Sequence, residues 1–323
     1  MFVEGSVLCL EGSSNDTLNF ISSPVTPWRN GKLPGRQVLV SDEAHELLAT
    51  KFKKSAFLSC KYNHPINLGA LSLELLPSGE APGSSFLLIR KNDRSLLYVS
   101  HWNPDTHPAI RAAKIRPTNR ILVNLEIGKK PSTGGAHLVR HEIDRLELAL
   151  KTSYNDQKII GICLEPPRDL HRVLATIPSE TVNIFGDESV LEYASACAHS
   201  FSESHKPFRE RLKKIVPLSE LKNQTGIVLI SKNHLPKKIP DIPWMLITSH
   251  KESEAPAQVP VLERFCIAHI PGPSDILKLV SETGASEVVL VNTGPAAEAC
   301  VAYLRQHGVG SSLLSAPQTT PLF

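Results

Sequence analysis

The sequence predicts an α/β protein made of two units, and three observations predict it. Short apolar runs with strand-like patterning crowd the first half, while strands alternate with amphipathic helices in the second. The length of 323 residues, with 41% hydrophobic and 21% charged, is enough to bury more than one core.

In the first half, residues 70–76, 85–89, 96–99 and 121–123 read as strands separated by turns carrying Gly, Pro, Asn and Asp. From 136 to 151 the period changes: Val139, Ile143, Leu146 and Leu150 recur at helical spacing, with Arg140, Glu142 and Asp144 between them. A strand at 158–164, a helix beginning at Arg168, a strand at 182–185 and a helix over 188–198 follow. That alternation implies parallel pairing, since only a crossover returns the chain in the same direction. The polar stretch 250–256 breaks the pattern and marks a boundary. Beyond it come a strand at 264–268, a helix capped by Ser274 and stopped at Gly284, and a strand at 287–291. A last helix over 295–307 has Pro295 at its start and Gly308 just past its end. The chain divides at 1–150, 151–255 and 256–323.

Composition excludes some functions. No run reaches about 18 consecutive apolar residues, and the first residues lack a basic stretch before an apolar one. No membrane span, no signal peptide and a cytoplasmic location are expected. Cys9, Cys60, Cys163, Cys197, Cys266 and Cys300 form no C-x-x-C pattern, and those in apolar runs pack as small hydrophobes. A net charge of +3 does not argue for nucleic acid; only a concentrated patch would. The densest basic cluster is Lys206, Arg209, Arg211, Lys213 and Lys214, a candidate nucleic-acid contact whose Lys206, Arg209 and Lys213 share one side of a helix. His137 and His141 have the spacing of a shared metal but lack the glutamate of a metalloprotease helix, so solvated histidines are the better reading. His101, Trp102 and His107 could join Glu80 in a cluster, against the plainer reading of a packed loop. Gly134 and Gly135 lack the lysine and spacing of a phosphate loop and read as a turn.

Four segments then carry a resemblance. Leu76-Pro77-Ser78-Gly79-Glu80-Ala81-Pro82-Gly83-Ser84-Ser85, followed one strand later by Tyr98-Val99-Ser100-His101, is similar to the paired P-A-G-H-x-x-G-S and Y-S-G-D motifs of β-CASP nucleases. Arg264-Phe265-Cys266-Ile267-Ala268-His269-Ile270 resembles their R-F-x-L-S-D-H, and Val289-Leu290-Val291-Asn292-Thr293-Gly294 resembles their V-x-V-T-H-G. The resemblance covers nearly the whole chain and is nearest to the ligase-associated DNA exonuclease branch. It implies a metallo-β-lactamase αββα sandwich formed by 1–150 and 256–323, with 151–255 as an inserted α/β β-CASP domain.

Such nucleases hold two metals on clustered His and Asp and use them to hydrolyse phosphodiesters. Here the H-x-H-x-D-H motif falls on residues 22–28 and leaves Ser23, Val25, Pro27 and Trp28 at ligand positions. Glu80, His101, Ile270 and Thr293 stand at four other ligand positions, and Asn124 replaces an acidic residue. Gly79, Gly83, Gly128 and Gly294 are kept. The expectation is a pseudo-nuclease without catalytic residues, metal or cofactor, acting as a scaffold or accessory in DNA or RNA processing. Its partner is expected to be a protein of a DNA-processing complex, with nucleic acid as a further candidate. The alternatives are an active hydrolase with a site relocated to Glu80 and His101, and a nucleic-acid-binding module. Trp28, Pro27 and Ile270, apolar where the parent site is polar, suggest either a docking patch or a filled cleft.

Overall fold

A computed structural model describes residues 3, 6–12, 15–104, 110–124, 135–156, 159–177, 182–200, 206–222, 224–248, 255–267, 271–291 and 294–314, without the side chains of 135–138, 154–155, 167, 199–200 and 206–207. The chain begins with β1 (Leu8–Leu10), β2 (Leu18–Phe20), α1 (Val25–Asn30), β3 (Gln37–Ser41), α2 (Asp42–Lys51), β4 (Ala56–Cys60) and β5 (Ile66–Leu68). β6 (Leu71–Pro77), β7 (Ser85–Lys91), β8 (Arg94–Val99) and β9 (Arg120–Val123) follow. Next come α3 (Gly135–Asn155), β10 (Ile160–Leu164), α4 (Pro166–Thr176), β11 (Ile184–Gly186), α5 (Glu188–Ser200), α6 (Lys206–Lys213), β12 (Ile215–Pro217), β13 (Ile227–Ser231), β14 (Trp244–Thr248) and β15 (Val261–Cys266). The last elements are α7 (Pro273–Thr283), β16 (Glu287–Leu290), α8 (Pro295–Gln306) and β17 (Gly310–Leu313). The α/β class is thus as expected. Among the described residues no helix is long and apolar enough to cross a membrane.

Two units form. The first is Met1–Thr106 with Arg111–Gly135 and Ile270–Phe323; the second is chiefly Ala136–His269. The junctions therefore differ from those expected at 150 and 255. α3 and β15 both belong to the second unit, because they hold each other: Arg145 on α3 pairs with Glu263 on β15, and the Cys266 amide donates to the Glu142 carboxylate.

In the first unit, β1-β2-β3-β4 make a parallel sheet, and β17-β16-β9-β8-β7-β6-β5 a mixed one. The mixed sheet is apolar on both faces. Leu87 and Ile89 of β7, Leu96 and Tyr98 of β8 and Leu122 of β9 pack with Leu8, Leu10, Phe20 and Leu39 of the parallel sheet. Their neighbours Phe86, Leu88, Leu97, Val99, Ile121 and Val123 pack against Ile276 and Leu279 of α7 and Cys300 and Leu304 of α8. On the far face of the parallel sheet, Val38 and Val40 meet Ala44 and Leu48 of α2. Successive side chains of a strand point to opposite faces, so strands apolar at every position must lie between two apolar layers. The resulting order is helix, sheet, sheet, helices. Phe20 and Tyr98 meet edge to face across the two sheets, 6.0 Å apart at 82°, a geometry worth about 1 kcal/mol beyond area alone. α7 starts at Pro273 rather than at a Ser274 cap: Asp275 reaches back to accept from the Gly272 amide at 2.8 Å. Gly284 ends it in the left-handed region, as expected.

In the second unit all strands of β12-β11-β13-β10-β14-β15 run parallel. Central β10 is buried at all five positions, as a parallel strand covered on both faces must be.

Candidate functional site

β8, β9 and β16 are mutually parallel, and β6 runs with β8 because each is antiparallel to β7. The carboxyl ends of all four therefore share one edge of the mixed sheet. Three segments converge there: residues 22–23 after β2, 78–84 after β6, and 100–103 after β8.

Glu80 is held by serines. Its Oε2 accepts from Ser23 Oγ at 2.9 Å and from Ser84 Oγ at 2.9 Å, and the two hydroxyls lie 3.1 Å apart. The carboxylate is buried, and so are both serines. His101 is held in the same manner, with Nδ1 at 2.9 Å from Ser22 Oγ and 3.0 Å from Ser100 Oγ. The Ser22 amide donates to Glu11 Oε1 at 2.8 Å. One step further, Asn124 Nδ2 donates to the Tyr98 hydroxyl at 2.7 Å. Burial, aided by the nearby Glu11 charge, pushes the Tyr98 phenol well above its usual range, so it stays a neutral hydroxyl. An amide donor at 124 suits that oxygen.

Local backbone requires glycine at two positions of the loop. Gly79 has φ +77°, and a Cβ there would sit 2.5 Å from the Asn103 carbonyl. Gly83 has φ +83°, and a Cβ would sit 2.8 Å from the backbone of Ala44. The loop thus presses on the start of α2, where Ser41 donates to the Gly83 carbonyl and caps the Ala44 amide. His101 itself has φ +51°, an uncommon conformation for a residue with a Cβ and one that clusters at functional sites. That reversal lets Ser78 Oγ donate to the His101 carbonyl at 2.7 Å.

The remaining expected positions scatter. Ser23 joins Glu80 as described, but Val25, Pro27 and Trp28 lie on α1 with buried side chains, and Lys51 covers the Trp28 ring at 4.7 Å. Pro27 and Trp28 are buried and form no exposed apolar patch. Ile270, Thr293, His107 and Gly128 lie outside the described residues, as do Gly134 and the side chains of His137 and Lys206. His141 is exposed. Among the described residues, no three His, Cys, Asp or Glu side chains are grouped to hold a metal ion. Glu80 Oε2 and His101 Nδ1 each meet two serine hydroxyls.

The basic cluster falls on and just after α6. Arg211 turns inward and donates to the Leu174 and Ile177 carbonyls at the end of α4, which removes it from any phosphate-facing stripe. Lys213 pairs with Glu210 at 3.1 Å, Arg209 is half-buried and Lys214 is exposed.

Ser22, Ser84, Ser100 and Glu11 were not singled out in the sequence. The serines had a signal, because each adjoins a motif position; Glu11 had none.

Fold and site define a two-unit α/β protein with a serine-braced polar knot at one sheet edge. No family model matches the sequence, and no curated protein does. Solved structures do match in fold. One is a crystal structure of a protein of unknown function from Enterococcus faecalis V583, 14% identical with a TM-score of 0.57, the alignment covering 94% of this chain and 80% of that one.

Proposed function

We propose that this chain is a catalytically silent protein of the metallo-β-lactamase/β-CASP type, serving as a scaffold or accessory in nucleic-acid processing through a protein partner. One observation carries the reading: Glu80 and His101, the two residues at ligand positions able to bind a metal, are both tied to serine hydroxyls instead. The helix, sheet, sheet, helices order of the first unit and the parallel sheet of the second support the fold assignment. The kept Gly79 and Gly83 support retention of the loop's shape after loss of its chemistry. Two hydroxyl donors satisfy the buried Glu80 Oε2 without a metal.

The test is zinc and manganese content of the purified chain, together with cleavage of single- and double-stranded DNA in added metal. Neither stoichiometric metal nor cleavage is expected. If both appear, and both vanish in Glu80→Ala/His101→Ala, the silent reading is replaced by a hydrolase whose site was rebuilt around those two residues.

A further inference from the structure

Each of the three sheets ends in two edge strands, and one of these strands differs from the rest. β1, β5, β12 and β17 are three or four residues long, and β15 carries Glu263 and Arg264. β4 is longer than the first four and, unlike β15, uncharged: Ala56-Phe57-Leu58-Ser59-Cys60, without proline and in unbroken register with β3. Exposed edges are ordinarily blunted by short length, charge, proline or a bulge; β4 shows none of these.

The Ala56 amide donates to the Arg36 carbonyl at 3.1 Å, so Ala56, Leu58 and Cys60 turn their backbone groups toward β3. Those of Phe57 and Ser59 face outward, because the side to which a residue's amide and carbonyl point alternates along a strand. Among the described residues these outer groups meet no other strand. Leu58 is 41% exposed, and Ala56 and Ser59 are exposed beside it.

Positive charge gathers at the amino end of this edge. Residues 17–41 and 47–73 contain no Asp or Glu. Arg36 lies beside Ala56, and Lys53 and Lys54 form the turn that leads into β4; all three are exposed. The acids of α2, Asp42, Glu43 and Glu46, stand toward its start, at the opposite end of the strands, and Glu43 pairs with Arg111. Elsewhere cations find acids, as Arg90 does Glu74, Arg120 does Glu287 and Lys151 does Glu147. Among the described residues Arg36, Lys53 and Lys54 make no ion pair.

Two plainer roles account for part of this. A helix C-terminus favours nearby cations, and cations flanking an apolar strand keep a second copy from pairing with it. Both leave the edge itself open, and charge that turns away a copy of this chain attracts a strand of opposite sign. A nucleic acid would meet the cations yet leave the outward backbone groups and Leu58 unused.

We infer that the β4 edge receives an extended acidic segment of a protein partner as an added strand. Its backbone bonds to Phe57 and Ser59, its carboxylates meet Arg36, Lys53 and Lys54, and an apolar side chain lies beside Leu58. This rests on the edge and its charge, not on the silent-nuclease reading.

The experiment measures fluorescence anisotropy of labelled decapeptides against the full chain. Each has a Val-Thr-Val-Thr centre, flanked on both sides by Glu, by Gln or by Lys. Saturable binding is expected for the Glu peptide, about tenfold weaker for Gln and weaker still for Lys, a factor that a few exposed ion pairs justify. Lys53→Glu/Lys54→Glu should invert the order of the Glu and Lys peptides while thermal unfolding stays the same. The Glu peptide with its central amides N-methylated keeps its charge and should lose binding. Ser59→Pro removes an outward amide without touching the bonds to β3, and should abolish binding of the Glu peptide. Equal affinity for the three peptides, undiminished binding of the N-methylated peptide, a dimer in sedimentation that Ser59→Pro disperses, or full displacement by a single-stranded oligonucleotide at the peptide's own concentration would each overturn the inference.

Discussion

Replacing Glu80 with alanine distinguishes a carboxylate that braces the fold from one retained for a ligand. Glu80 Oε2 accepts two hydroxyl hydrogen bonds at 2.9 Å in a buried setting. Hydrogen bonds to a charged group are worth about 1.5 to 3 kcal/mol each, so the gross loss is about 3 to 6 kcal/mol. Two effects reduce it: the Ser23 and Ser84 hydroxyls, 3.1 Å apart, remain able to bond each other, and the desolvation of the carboxylate disappears. The net expectation is a loss of about 2 to 3 kcal/mol, or about 1 M in urea midpoint for a chain of this size. Two units need separate probes. Trp28 and Trp102 report the first and Trp244 the second, so urea titrations in a Trp244→Phe background follow the unit that holds Glu80. A midpoint that is unchanged or higher in Glu80→Ala would refute the bracing argument. It would mean that the carboxylate is kept at a cost in stability, as residues held for binding or catalysis often are.

Three more predictions concern the second unit. Asp169 is buried, Oδ2 accepts from the Glu165 amide while Oδ1 has no hydrogen-bond partner among the described residues, and burial raises its pKa above 3.8. A raised folded-state pKa means that the folded chain binds the extra proton, so stability at this site falls as pH climbs from 3.8 through the raised value. Asp169→Asn should flatten the part of the urea-midpoint profile that lies above about pH 4; a profile as steep as the parent's would contradict it. Arg211→Ala should lower stability by about 2 kcal/mol, since it leaves carbonyls at the end of α4 without a charged donor. Lys213→Glu/Lys214→Glu should leave both stability and the binding of single-stranded DNA the same, and a lost, salt-sensitive affinity in that variant would restore the basic stripe as a nucleic-acid contact.

Much of the fold was legible because local pattern and tertiary role agreed. Helical spacing of Val139, Ile143, Leu146 and Leu150 marked α3, and Pro295 with Gly308 bracketed α8. Alternating strands and helices required the parallel sheet of the second unit. Gly79 and Gly83 adopt φ values that favour glycine and sit where a Cβ would strike backbone. Each of these depends on neighbours in sequence or on one residue's own backbone.

What required three dimensions was everything set by partners distant along the chain. Residue type at 80 and 101 offered two ligand-capable groups; it did not show that Ser22, Ser23, Ser84 and Ser100 would hydrogen-bond them. Charge spacing placed Arg211 in a basic cluster, yet the end of α4, more than thirty residues earlier, draws it inward. The apolar run of α1 left Trp28 open to either reading, and packing buried it. That β4 ends its sheet has no sequence signature, because strand order is decided by pairing between distant segments. Period and composition act through local backbone geometry and are written in order along the chain, whereas a side chain's partner is chosen by long-range packing, which pattern alone does not encode.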